Sequence, residues 1–123
     1  MRLAKYSLVY LATPYSKYPT GIESAFRDAS RIAARLLRCG IKVYSPIAHT
    51  HPIAIHGDVD PLDHTIWLPF DEAMMKASAA ILVAKMTGWE ESKGIAHELE
   101  VFRKAKKPIF YLDVDAFEFS QAD

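Results

Sequence analysis

The chain has 123 residues, of which fifteen are basic and fifteen acidic, and half of its side chains are apolar. That is the make-up of one globular domain covering residues 1–123. Zero formal charge argues against a dedicated nucleic-acid binder and gives no support to an electrostatic membrane anchor, and no apolar run reaches the ~20 residues that cross a bilayer.

Met1 to Tyr10 holds no long apolar stretch ending in a small-residue cleavage site, so no signal peptide is expected. A single cysteine, Cys39, leaves no internal disulfide and no cysteine-rich metal site, and the expected compartment is a reducing cytoplasm. Leu8–Ala12 is a continuous apolar run of strand length, the pattern of a strand buried on both faces in a parallel sheet. Thr20 and Glu23 read as a capping box that opens a long amphipathic helix over about residues 20–39, with Gly40 placed to stop it. Ile41–Tyr44 is a short second strand ended by Ser45-Pro46. Ile47 to Asp63 lacks clear periodicity and holds His49, His51 and His56, so it reads as a long loop with room for a helical turn, and long loops are often functional.

A helix is expected over about Thr65–Lys76, with Pro69 marking a possible restart at Phe70-Asp71-Glu72. Ala79–Ala84 is a third buried strand, Thr87-Gly88-Trp89 a turn, Ser92–Ala105 a helix and Pro108–Leu112 a fourth strand. The acidic tail offers a short edge strand at Phe117–Phe119. Alternating strands and helices specify an α/β fold: a flavodoxin- or Rossmann-like three-layer sandwich on a four- to five-stranded parallel sheet. In such sheets ligands bind beyond the carboxyl ends of the strands, which points to the loops Thr13–Lys17, Ser45–Asp63 and Lys85–Ser92.

The most informative stretch is Ser92-Lys93-Gly94-Ile95-Ala96-His97-Glu98. On a helical wheel of ~100° per residue, Ile95, Leu99 and Phe102 form the buried stripe, and Lys93, His97, Glu100 and Lys104 face solvent. Glu98 falls about 60° from Ile95, on the buried flank, where a carboxylate needs a partner. Ser92 is a natural N-cap, Gly94 keeps the first turn free of bulk, and helix N-termini attract anions. One short segment therefore offers an anion seat and a semi-buried carboxylate, although the same residues also suit a plain cap and a surface glutamate. Asp71 either caps a helix or projects into the cleft, where an apolar setting raises its pKa and suits general-acid work. Tyr10 is strand core whose hydroxyl needs a partner if buried, and a cleft carboxylate could supply it. Tyr15 is placed to line a pocket from the first loop. The histidines, with Asp58 and His64 nearby, supply donors that zinc accepts, but their spacing matches no pattern of known mechanism. The chain has no GxGxxG fingerprint, P-loop or GxSxG elbow.

Taken in order, these parts resemble the nucleoside 2-deoxyribosyltransferase superfamily, which includes the 2′-deoxynucleoside 5′-monophosphate N-glycosidases. The resemblance covers roughly residues 6–113 and rests on Val9-Tyr10-Leu11, Ser45-Pro46, Asp71 upstream of an Ala-rich strand, and Ser92-x-Gly94-x-x-x-Glu98. The resemblance implies Glu98 as the nucleophile at the anomeric carbon, Tyr10 as the residue that orients it, and Asp71 as the acid that serves the leaving base. It implies Ser92, Gly94, Tyr15, Thr13 and Pro46 as substrate-binding residues, with Ser92 favouring a 5′-monophosphate and hydrolysis. It implies no cofactor, no resident metal, and a homo-oligomer, dimer or tetramer, with shared active sites. Two other readings stand beside it. One is a non-catalytic nucleotide-binding module, motivated by Glu100 and by a first loop whose only cation is Lys17; the other is a metal-dependent enzyme using His49, His51 and His56.

Overall fold

The computed structural model describes residues 2–122. A short 3-10 turn at Arg2–Lys5 precedes five strands: β1 (Val9–Ala12), β2 (Val43–Tyr44), β3 (Ala80–Ala84), β4 (Ile109–Asp113) and β5 (Glu118–Gln121). They form one sheet in the order β2-β1-β3-β4-β5. The first four are mutually parallel, with Val9 opposite Val43 and Ala80, and Ile81 opposite Ile109. The fifth is antiparallel to β4, so the parallel expectation holds for four strands only. The reason is chain length: a parallel return needs a crossover of a dozen or more residues, whereas a hairpin needs a few. Here Asp113 Oδ1 accepts from the amides of Asp115 and Ala116, both at 3.1 Å, and turns the chain directly back.

Four helices link the strands: α1 (Ile22–Arg38), α2 (Pro46–His56), α3 (His64–Ala77) and α4 (Lys93–Lys104). The end of α1 follows the sequence reading. Gly40 adopts φ +82°, Gly40 N–H donates to Leu37 O at 3.0 Å and Ile41 N–H to Leu36 O at 3.1 Å, which is a Schellman stop with its hydrophobic pair Leu36/Ile41 buried. The start of α1 differs. The N-cap is Gly21, at φ +100°, and Thr20 Oγ1 instead donates to Ser24 Oγ. Glu23 does not reach back, because it finds a buried histidine, His51, on α2.

A second correction concerns residues 47–63. Instead of a long loop the chain forms α2, opened by Ser45, whose Oγ accepts from Ala48 N–H at 3.2 Å, with Pro46 in the first turn. Its buried positions Ile47, His51 and Ala54 have helical spacing, but one is polar and Pro52 interrupts the interior, so the stripe is not visible as an apolar pattern. The helix α3 runs unbroken through Pro69, capped by Asp63 rather than restarting at Phe70.

Alternation along the strands decides which side chain meets which layer. Val9, Leu11, Ala80, Leu82 and Ala84 point to the face covered by α1, where Ala33 and Leu36 pack on them. Tyr10, Ala12, Ile81 and Val83 point to the opposite face, against Met75 of α3 and Ile95 and Phe102 of α4. All of β1 and β3 is buried, as the continuous apolar runs require. The result is a three-layer α/β sandwich, and no described helix is long and apolar enough to cross a membrane.

Candidate active site

The strand order places a topological switch point between β1 and β3, because the connection after β1 leads to β2 on one side while β3 lies on the other. A cavity of about 480 Å³ opens at the carboxyl ends of these strands. Its walls come from the loops after β1 and β3, the first turns of α2, the α2–α3 connection and one side of α3 and α4. Thr13, Tyr15, Pro46, Asp71, Ser92, Gly94 and Glu98 all line it, so residues up to 85 positions apart in sequence meet there.

Glu98 owes its position to the α4 wheel, between one and two turns below the Ser92 cap. Tyr10 does not line the cavity but points from β1 toward α4, where its ring packs on Phe102 at 5.8 Å. Its hydroxyl donates to Glu98 Oε2 at 2.7 Å. Burial raises the Glu98 carboxyl from 4.5 to about 8, against the lowering effect of the Tyr10 hydrogen bond, and the Asp71 charge adds to the rise. Burial, then the Glu98 and Asp71 charges, push the Tyr10 phenol far above its usual range, so it stays a donor.

Asp71 lies in the middle of α3, which rules out the capping reading, and lines the cavity. Its Oδ1 is buried without a hydrogen-bond partner, and burial raises the carboxyl from 3.8 to about 6. Thr13 Oγ1 and Tyr44 Oη are likewise buried and unpartnered. Thr13 also lines the cavity, and such groups cost about 1–3 kcal/mol each unless a ligand or water satisfies them.

Ser92 Oγ accepts from Ile95 N–H at 3.2 Å, which leaves its own O–H free to donate into the cavity. A methyl group on Gly94 would meet only Ser92 Oγ, at 3.8 Å, so the glycine keeps cavity space open rather than relieving a clash within the protein. Lys93 and His97, read as solvent-facing, also line the rim, and His97 Nε2 lies 3.5 Å from Glu72 on α3. Glu100 faces away and pairs with Arg103 and Lys104.

Sequence reasoning missed one cluster, built around a buried histidine. His51 is almost fully buried, and its Nδ1 is 2.6 Å from the Tyr15 hydroxyl while Nε2 is 2.8 Å from Glu23 Oε2. Nothing in the local pattern announces this, since the three residues come from a loop and two helices. The same geometry does not bring the histidines together: both ring nitrogens of His51 are hydrogen-bonded, His49 stacks on Phe70, and no group of three His, Cys, Asp or Glu side chains converges among the described residues.

Comparison with protein-family models finds a match over residues 7–114 to a family described as a domain of unknown function, DUF1937. No curated protein matches the chain.

Proposed function

The chain belongs to the DUF1937 family, and from its site we propose an N-glycosidase or deoxyribosyltransferase that cleaves the N-glycosidic bond of a nucleoside or its 5′-monophosphate. One observation carries this reading: a buried-flank carboxylate, Glu98, is held at one oxygen by the Tyr10 hydroxyl at 2.7 Å in a cavity it shares with Asp71 and the N-terminus of α4.

The chemistry follows from that arrangement. Glu98 Oε2 is fixed by Tyr10, so Oε1 attacks the anomeric carbon as the carbon–nitrogen bond breaks. Its negative charge favours the oxocarbenium-like transition state before the bond forms. The departing base needs a proton, and Asp71, whose carboxyl titrates within reach of neutrality, supplies it. Water then attacks the glycosyl ester, loses its proton to the carboxylate pair, and frees Glu98; a second base in place of water gives transfer. Ser92 O–H and the free amides of the first α4 turn suit a 5′-hydroxyl or phosphate, with Lys93 at the rim.

The assembly is proposed to be a homo-oligomer that completes the cavity. Of the six large apolar side chains exposed among the described residues, five (Ile53, Ile55, Leu62, Ile66 and Phe70) lie on α2, α3 and their connection. Leu62 also lines the cavity, so a subunit covering this surface would close the mouth.

The test is release of free base from a panel of 2′-deoxynucleosides, ribonucleosides and their 5′-monophosphates, followed by chromatography. Wild-type protein releases base from at least one member, and Glu98→Gln releases none. Nucleotide binding without release over hours would turn the reading into a binding module.

A further inference from the structure

The proposed reaction leaves His51 unused, although it is almost fully buried and bonded to the cavity-lining Tyr15. Its side chain is 2% exposed, and it is flanked by Phe26, stacked at 4.7 Å, and by the edge of Tyr15. The groups facing it are few. Tyr15 comes from the β1–α1 loop, and Glu23 from α1, itself shared with Arg27 at 3.3 Å. Glu23 is half-exposed, and its hydrogen bonds from His51 and Arg27 hold its carboxyl below the usual range, so it is an acceptor at neutral pH.

That fixes the direction of every hydrogen bond in the chain. A carboxylate can only accept, so Nε2 carries a proton toward Glu23. In the neutral ring Nδ1 then has a lone pair, and the Tyr15 O–H must donate to it. The Tyr15 oxygen is left to accept from whatever occupies the cavity. When His51 gains a second proton, Nδ1–H donates to the Tyr15 oxygen, and the phenolic proton is released to donate into the cavity.

We propose that Glu23, His51 and Tyr15 form a hydrogen-bond relay that sets whether Tyr15 accepts from or donates to the bound ligand, and so selects between amino- and oxo-bearing bases. Burial of the Tyr15 hydroxyl raises its pKa to about 12, which keeps it a neutral phenol in both states. The base is the part of the ligand concerned because Tyr15 shares the cavity lining with the apolar side chains of Pro14, Pro46, Ile47, Trp67 and Leu68, which suit a planar ring. A sugar hydroxyl both donates and accepts and would be indifferent to the switch. Tyr15 is thus a binding residue, and His51 and Glu23 are positioning residues. The base assignment rests on the nucleoside reading above; the relay itself does not.

Two measurements separate these. Nitrogen-15 NMR of the wild-type protein should show the neutral form of the His51 ring as the Nε2–H tautomer with a hydrogen-bonded Nδ1. Tyr15→Phe should move Nδ1 toward a free ring nitrogen, and Glu23→Gln, whose amide both donates and accepts, should mix the tautomers. An Nδ1–H tautomer in wild type, or no change in either variant, overturns the relay whatever the protein catalyses. Calorimetry then compares 2′-deoxyadenosine and 2′-deoxyinosine 5′-monophosphates in the Glu98→Gln background, which prevents turnover. The affinity ratio should favour the amino-bearing base when the imidazole is neutral. It should shift by about tenfold, the size of one cavity hydrogen bond, toward the oxo-bearing base when a pH titration, followed by the same NMR signals, adds the second proton. Tyr15→Phe should abolish the shift while the fold, followed by circular dichroism, is kept. A ratio independent of pH in a protein that binds both nucleotides overturns the selection; failure to bind either nucleotide overturns the nucleoside reading and leaves the relay standing on the NMR result.

Discussion

Tyr10 and Glu98, 88 residues apart, are joined by a 2.7 Å hydrogen bond that ties the interior strand β1 to the helix α4. The bond exists because strand alternation turns Tyr10 toward the α4 layer and the helical wheel turns Glu98 toward the sheet. Tyr10→Phe removes the donor without changing the ring that packs on Phe102. Under the proposed reaction kcat should fall about tenfold to a hundredfold with KM little changed, as expected for a hydrogen bond to a charged group. The same change should move the Glu98 titration upward, since the Tyr10 bond lowers it, and a pH–rate profile reads that shift directly.

The two carboxyls should give a bell-shaped profile. Asp71 titrates at about 6 and Glu98 at about 8, so the pair holds one proton between these values. Attack needs that proton on Asp71 and the charge on Glu98, and the singly protonated state alone can supply this form. The limbs of kcat/KM should therefore fall near 6 and 8 as properties of the pair. Asp71→Asn should lower the rate about 10²- to 10⁴-fold. It should also leave a single limb that rises with pH, with its midpoint below 8 because the Asp71 charge no longer raises Glu98.

Stability should carry the same signature. Glu98 is raised from 4.5 to about 8 in the folded protein, so its contribution is complete below 4.5 and is lost as pH rises through 8. Asp71 behaves likewise between 3.8 and about 6. Tm should fall as pH is raised from about 5 to about 9, reflecting a loss of unfolding free energy on the order of a few kcal/mol. Glu98→Gln, which mimics the protonated state, should flatten most of that slope; scanning calorimetry across the pH range checks it.

Lys107 should matter for folding and not for chemistry. Its ammonium donates to the carbonyls of Met75, Lys76 and Ser78 at 3.1, 2.9 and 2.7 Å, and so closes the C-terminus of α3. Lys107→Met keeps the stem and loses all three bonds, and should reduce the unfolding free energy by about 1–3 kcal/mol in a denaturant titration. Activity per folded molecule should be unchanged, since Lys107 does not line the cavity.

The exposed apolar face predicts an assembly. Ile66→Glu places a charge among the exposed apolar side chains of α2, α3 and their connection and should shift sedimentation to the monomer, with a parallel loss of base release if subunits share the site. A wild-type protein that already sediments as a monomer refutes the assembly.

The amino-acid sequence by itself determined the layers. Continuous apolar runs suit strands buried on both faces, the Gly40 stop ends α1 where the pattern predicts, and Ser92 with Glu98 places a carboxylate between one and two turns below a helix start. These are short-range facts, written in periods of two and 3.6 residues. Only the tertiary structure decided the partners. It turned the unpatterned residues 47–56 into α2 because Ile47, His51 and Ala54 pack inward although one of them is polar. It took Glu23 from its expected cap and gave it to His51, and it placed Asp71 in the cavity wall rather than at a helix start. Hydrogen bonds between distant residues depend on how the layers stack, and no local period records that stacking.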